Sequence, residues 1–75
     1  MTIEEYDILF RAQGSFCAIC GDAQAGGKAL AVDHDHRSGK IRGLLCARCN
    51  PMLGYAKDRI DVLTKAISYL TRSLP

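Results

Sequence analysis

Seventy-five residues make one small domain, residues 1–75, and a fold of this size buries only about 60 % of its unfolded surface. It therefore needs a staple, whether a metal, disulfides or a partner. Apolar residues make up 48 % of the chain, too many for a disordered protein, although there is no Trp and the aromatic core is thin. The longest apolar run, Phe16 to Cys20, is five residues, which excludes a membrane span. Glu4, Glu5 and Asp7 exclude a signal or transit sequence at this N-terminus, so the expected location is the cytoplasm. The formal charge of +2 is unevenly spread, at −3 over residues 1–27, +3 over 28–48 and +2 over 49–75. A positive middle suits a polyanion, although charge alone favours an ordinary solvated surface.

The elements follow in chain order. Thr2 with Glu5 three positions on is a capping-box pattern, and Ile3, Tyr6, Leu9 and Phe10 recur at helical spacing, with Gly14 as the stop. Cys17 and Cys20 form a first C-x2-C knuckle, and Gly21 to Gly27 reads as a loop leaving it. Residues 29–34 and 40–45 read as two strands joined by a turn at Arg37-Ser38-Gly39, a β-hairpin. Cys46 and Cys49 form a second knuckle. Pro51 then marks the first turn of a short helix that ends near Gly54, with Asn50 in the position of an N-cap. Asp58 is placed to cap a last helix with Ile60, Leu63, Ala66, Ile67 and Leu70 on its apolar face.

The two knuckles, 25 residues apart, are what a tetrahedral zinc site requires. A disulfide framework belongs to exported chains, and a redox pair belongs to a larger βαβ fold, so structural zinc is the expected cofactor. Asp33-His34-Asp35-His36 closes the first strand. Two His and two Asp suggest a second metal or an acid–base site, while Asx turns and surface contacts explain them equally well from local sequence. If the strand continued, its pleat would place His34 and His36 on one face and Asp33 and Asp35 on the other.

Strand, Asp33-His34, hairpin, second strand, knuckle, Asn50 and helix together form a ββα unit. The run from Val32 to Asn50, with Phe16-Cys17-Ala18-Ile19-Cys20-Gly21 upstream and Leu53-Gly54 downstream, resembles the phage recombination endonuclease VII family. That family lies within the His-Me finger (HNH, ββα-metal) nucleases, and the likeness covers roughly residues 5–55. The resemblance implies a small α+β fold in which a zinc-stabilised ββα-metal core carries an N-terminal and a C-terminal helix. It implies a DNA endonuclease or nickase, with branched DNA among the substrates. Cys17, Cys20, Cys46 and Cys49 would hold zinc, and Asp33 and Asn50 would hold a catalytic Mg or Mn. His34 would be the general base, with His36 in a supporting role. Arg37, Lys40, Arg42 and Arg48 would contact DNA phosphates. The partner would be DNA, with no membrane, and the C-terminal helix could pair two copies. The setting would be a phage or prophage protein in its host cell. The chain departs from the pattern at Leu53, where some members place a carboxylate. The 21 residues after Gly54 are also fewer than junction-resolving members use for dimerisation and branched-DNA recognition. The alternative is a non-catalytic zinc module that binds DNA or a protein.

Overall fold

The computed structural model describes residues 1–23 and 29–72. Part of the loop expected at Gly21 to Gly27 and the start of the residues after it lie outside them. The described elements run α1 (Ile3–Ala12), β1 (Ala31–His34), β2 (Ile41–Leu45), α2 (Cys49–Tyr55) and α3 (Ile60–Arg72). The small α+β class is as expected.

Helix α1 starts in the capping box. Thr2 Oγ1 accepts from the Glu5 backbone N–H at 3.1 Å, and Glu5 Oε1 accepts from the Thr2 N–H at 3.4 Å. The helix ends on Gln13, just before Gly14. The Gln13 side chain then reaches across to β2. Its Oε1 accepts from Leu44 N–H at 2.8 Å, and its Nε2 donates to Leu44 O at 3.0 Å and to Phe16 O at 2.9 Å. One amide thus meets both backbone groups of Leu44 on the outer side of β2, and the Leu44 carbonyl also accepts from Ala18 N–H at 3.1 Å. Gly43 permits this approach, because a Cβ there would stand 3.2 Å from Gln13 Oε1.

The hairpin is antiparallel, pairing Ala31 with Leu45, Val32 with Leu44 and Asp33 with Gly43. His34 then pairs with Ile41, so Arg42 is an extra residue on β2, a β-bulge. Strand β1 begins two residues later than the sequence pattern suggests and ends at His34. Asp35 and His36 therefore lie in the turn, and the alternation of faces does not extend to them. Asp35 Oδ1 accepts from the N–H groups of Arg37 at 2.7 Å and Ser38 at 3.0 Å, an Asx turn.

Among the described residues, six buried ones make the core: Leu30, Leu44 and Leu45 with Cys17, Cys46 and Cys49. Tyr6, Leu9, Phe10, Val32 and Leu53 pack around them, and Tyr6 donates its hydroxyl proton to Leu30 O at 2.7 Å. Half of this core is thiol, so the apolar core and the cysteine site are one structure.

Two expectations at helix starts are corrected. Asn50 is not the cap of α2: Arg48 holds that position without a side-chain bond, and Asn50 is the second helical residue. The reason is that the Cys46 carbonyl already accepts from Asn50 N–H at 3.1 Å, so the knuckle itself forms the first turn. Asp58 is not the cap of α3, which begins at Ile60. Lys57 and Asp58 both take left-handed φ, 54° and 56°, while Asp58 N–H closes onto Leu53 O at 3.0 Å. The apolar residues of α3 are mostly uncovered: Ile60 is 80 % exposed, Ile67 66 % and Leu70 64 %, and Leu63 is the half-buried member of that face.

Candidate functional site

The four cysteines converge from the two knuckles. All four sulfurs lie within 4.8 Å of one another, and the Cys20 and Cys46 Sγ atoms stand 3.8 Å apart. A tetrahedron with Zn–S bonds of about 2.3 Å has edges of about 3.8 Å, so the donors fit that ion. The backbone prepares them. Gly21, at φ 76°, lets the chain turn sharply after Cys20, and Cys17 N–H closes onto Asp22 O at 2.9 Å. Backbone N–H groups of Ile19, Asp22 and Cys49 point at the sulfurs of Cys17, Cys20 and Cys46 at 3.5, 3.4 and 3.4 Å. The thiols do not ionise alike. Burial raises Cys17, but backbone hydrogen bonds and Cys20 outweigh it and bring Cys17 to about 6. Burial, followed by the other three sulfurs, pushes Cys49 up to about 12. Four thiolates cannot all ionise side by side without a cation among them, which is the demand that a divalent metal meets.

A second polar cluster is built on the bulge. Asp33 is 8 % exposed, and the Arg42 fork grips both of its oxygens. Nε donates to Oδ2 at 2.7 Å and Nη2 to Oδ1 at 3.1 Å. The same Nη2 lies 3.4 Å from Asp58 Oδ2, and His36 Nδ1 lies 3.7 Å from that oxygen. Because Arg42 is the unpaired residue of the bulge, its side chain is turned onto the carboxylate beside it.

His34, the last residue of β1, is exposed and carries no side-chain hydrogen bond among the described residues. Asn50 is half-buried in the first turn of α2, with no hydrogen bond to Asp33 among the described residues. Of the four cations expected at phosphates, Arg42 is held by Asp33, and Arg48 donates to Asp22 at 2.9 Å while lying 4.0 Å from Cys20 Sγ. Arg37 and Lys40 flank the hairpin turn. Arg37 also lines an open groove of about 590 Å³ with His36, Arg42, Lys57, Asp58 and Arg59. The sequence reading missed three participants: Asp58, Lys57 and Gln13. Asp58 lies 16 residues from Arg42 and Gln13 lies 31 from Leu44. No local pattern connects such pairs.

Among the described residues, no helix is long and apolar enough to cross a membrane. The family model for recombination endonuclease VII matches residues 1–72. The chain is 48 % identical over 73 residues to the Gene 59 protein of Mycobacterium phage D29. It is 46 % identical over 71 residues to the Gene 59 protein of Mycobacterium phage L5. These matches take in 96 % and 93 % of this chain but 44 % and 43 % of those proteins, so the chain spans less than half the length of the curated relatives it matches.

Proposed function

The chain belongs to the recombination endonuclease VII family, a nuclease family, and from that premise we propose a metal-dependent DNA endonuclease or nickase acting in a phage-infected cell. Residues 1–75 form one nuclease domain on this reading. The observation that carries it is a buried carboxylate, Asp33, followed directly by an exposed imidazole, His34, at the end of strand β1. Groups placed on a strand hold productive geometry better than groups placed on a loop.

The carboxylate of Asp33 and the amide oxygen of Asn50 are hard donors of the kind Mg or Mn takes, whereas the four sulfurs suit zinc. When bound, such a cation neutralises charge developing on the scissile phosphate and stabilises the leaving 3′ oxygen. His34 accepts a proton from the attacking water, which leaves 5′-phosphate and 3′-hydroxyl ends. It must be neutral to do so, and its exposure leaves it open to water and substrate. His36, beside Asp58, plays a supporting part. Arg37 and Lys40 are the cations best placed for phosphate contacts. Arg42 is engaged by Asp33 through two of its nitrogens, whereas Arg48 uses one on Asp22 and keeps the others for a phosphate. The uncovered apolar face of α3 supports pairing of two copies, which would allow cuts in both strands, on branched DNA among other forms.

One observation favours a second reading, a non-catalytic zinc-binding module that contacts DNA or protein: both oxygens of Asp33 are already engaged by Arg42. Nicking of supercoiled plasmid separates the two. The nuclease nicks with Mg or Mn and stops when these ions are removed with zinc retained. Absence of nicking with either ion leaves the module, and nicking without any added divalent ion overturns the mechanism.

A further inference from the structure

The fork of Arg42 covers both oxygens of a carboxylate that is 8 % exposed. A hydrated divalent cation and a guanidinium cannot both reach so enclosed a group, and their charges repel. Arg42 itself has room to move, since its side chain is 35 % exposed. A destination is already within reach. Nη2 lies 3.4 Å from Asp58 Oδ2, a long contact that would shorten if the guanidinium swung off Asp33. Asp58 is held there by a backbone that two successive left-handed residues, Lys57 and Asp58, set in place.

We propose that Arg42 is a built-in counter-ion that competes with the divalent cation for Asp33, and that Asp58 is the carboxylate onto which Arg42 withdraws. Without the cation, the guanidinium neutralises Asp33 and keeps a buried charge paired. With it, Arg42 shifts to Asp58 and its outer edge turns toward the groove shared with Arg37 and Lys57. This rests on the reading of Asp33 as a cation ligand. Arg42 is then a positioning residue, acting through Asp33.

The test uses the zinc-loaded full chain and needs no nuclease assay. Manganese affinity is measured by electron paramagnetic resonance for the unaltered protein, Asp33→Asn, Arg42→Gln, Asp58→Asn and the Arg42→Gln/Asp58→Asn pair. Asp33→Asn abolishes binding at this site. Arg42→Gln removes the competitor and tightens binding about ten-fold or more. Asp58→Asn removes the alternative anchor and weakens binding about three-fold. That weakening disappears when Arg42 is already Gln, whereas a purely electrostatic effect of Asp58 would persist. If Arg42→Gln does not fold, the Nε–H resonance of Arg42 in the unaltered protein serves instead. Magnesium should hasten its exchange with solvent at least about ten-fold, as the 2.7 Å bond to Asp33 is released. Manganese binding that survives Asp33→Asn overturns both the metal reading and the proposal. Binding that needs Asp33 but is unchanged or weaker in Arg42→Gln leaves the metal reading standing and overturns the role of Arg42. An Nε–H resonance indifferent to magnesium does the same.

Discussion

The cysteine cluster and the Asp33 cluster lie toward opposite ends of one short hairpin, and they treat charge in opposite ways. Four sulfurs gather with backbone N–H groups aimed at three of them, while the Arg48 guanidinium stands 4.0 Å from one sulfur and is itself bound to Asp22. Such a site is incomplete without a metal. Asp33, by contrast, carries its own cation, gripped at both oxygens. A carboxylate satisfied from within can hold its shape empty and exchange its partner. On the proposed reading, the first cluster holds a permanent ion and the second an exchangeable one.

The sharpest way to break that contrast is Cys46→Ser. Zinc binding in small thiolate sites is linked to about 10–16 kcal/mol, as much as the whole stability of a domain, and three of the six buried core residues among those described are cysteines of the cluster. The variant should lack a cooperative melt by circular dichroism, and a chelator should do the same to the unaltered protein. A melt near the normal midpoint would show that the cysteines are dispensable. His34→Ala tests the exchangeable side. Plasmid nicking should fall about 10²–10⁴-fold, about 3–5 kcal/mol of barrier, with the thermal midpoint unchanged because the side chain is exposed and unbonded. Full activity in a folded His34→Ala protein would move the base elsewhere, with His36 the next residue to examine.

Asp33→Ala should fall between these two in its effect on the fold. It strips Arg42 of its main partner, so the midpoint should drop by about 5 °C or more while zinc stays bound. Loss of zinc in that variant would show that the clusters are one cooperative site. Arg37→Ala and Lys40→Ala probe the surface around the second cluster. Each should lower the salt dependence of DNA binding by about one counterion, equally for all sequences. A loss confined to one sequence would point instead to base readout.

The smallest effect belongs to the Asx turn. The N–H groups of Ser38 and then Arg37 hold the Asp35 carboxyl below the usual range. A lowered folded-state value means the stabilisation is complete above the unfolded value, about 3.9, and fades only as pH falls through the folded one. Asp35→Asn should thus lower the midpoint by the same small amount at pH 5.5 and pH 7.5. A gap that changes between those pH values would assign the effect to another group.

Local signals in the sequence settled whatever depends on near neighbours. The Thr2–Glu5 box joins residues three apart, the knuckles place two thiols within one turn each, and the paired residues of the hairpin are 14 positions apart at most. Those same spacings carried the likeness to a nuclease family. Tertiary structure decided the rest, because it turns on register and on meetings between distant segments. One skipped residue in the ladder directs Arg42 onto Asp33. The turn after α2 brings Asp58 to Arg42, and the end of α1 brings Gln13 to Leu44. Asn50 looked like a cap by preference, but a carbonyl from the knuckle started the helix before it. The apolar stripe of α3 was legible as a stripe, and its exposure was not, since periodicity reports which residues share a face and never what lies opposite it.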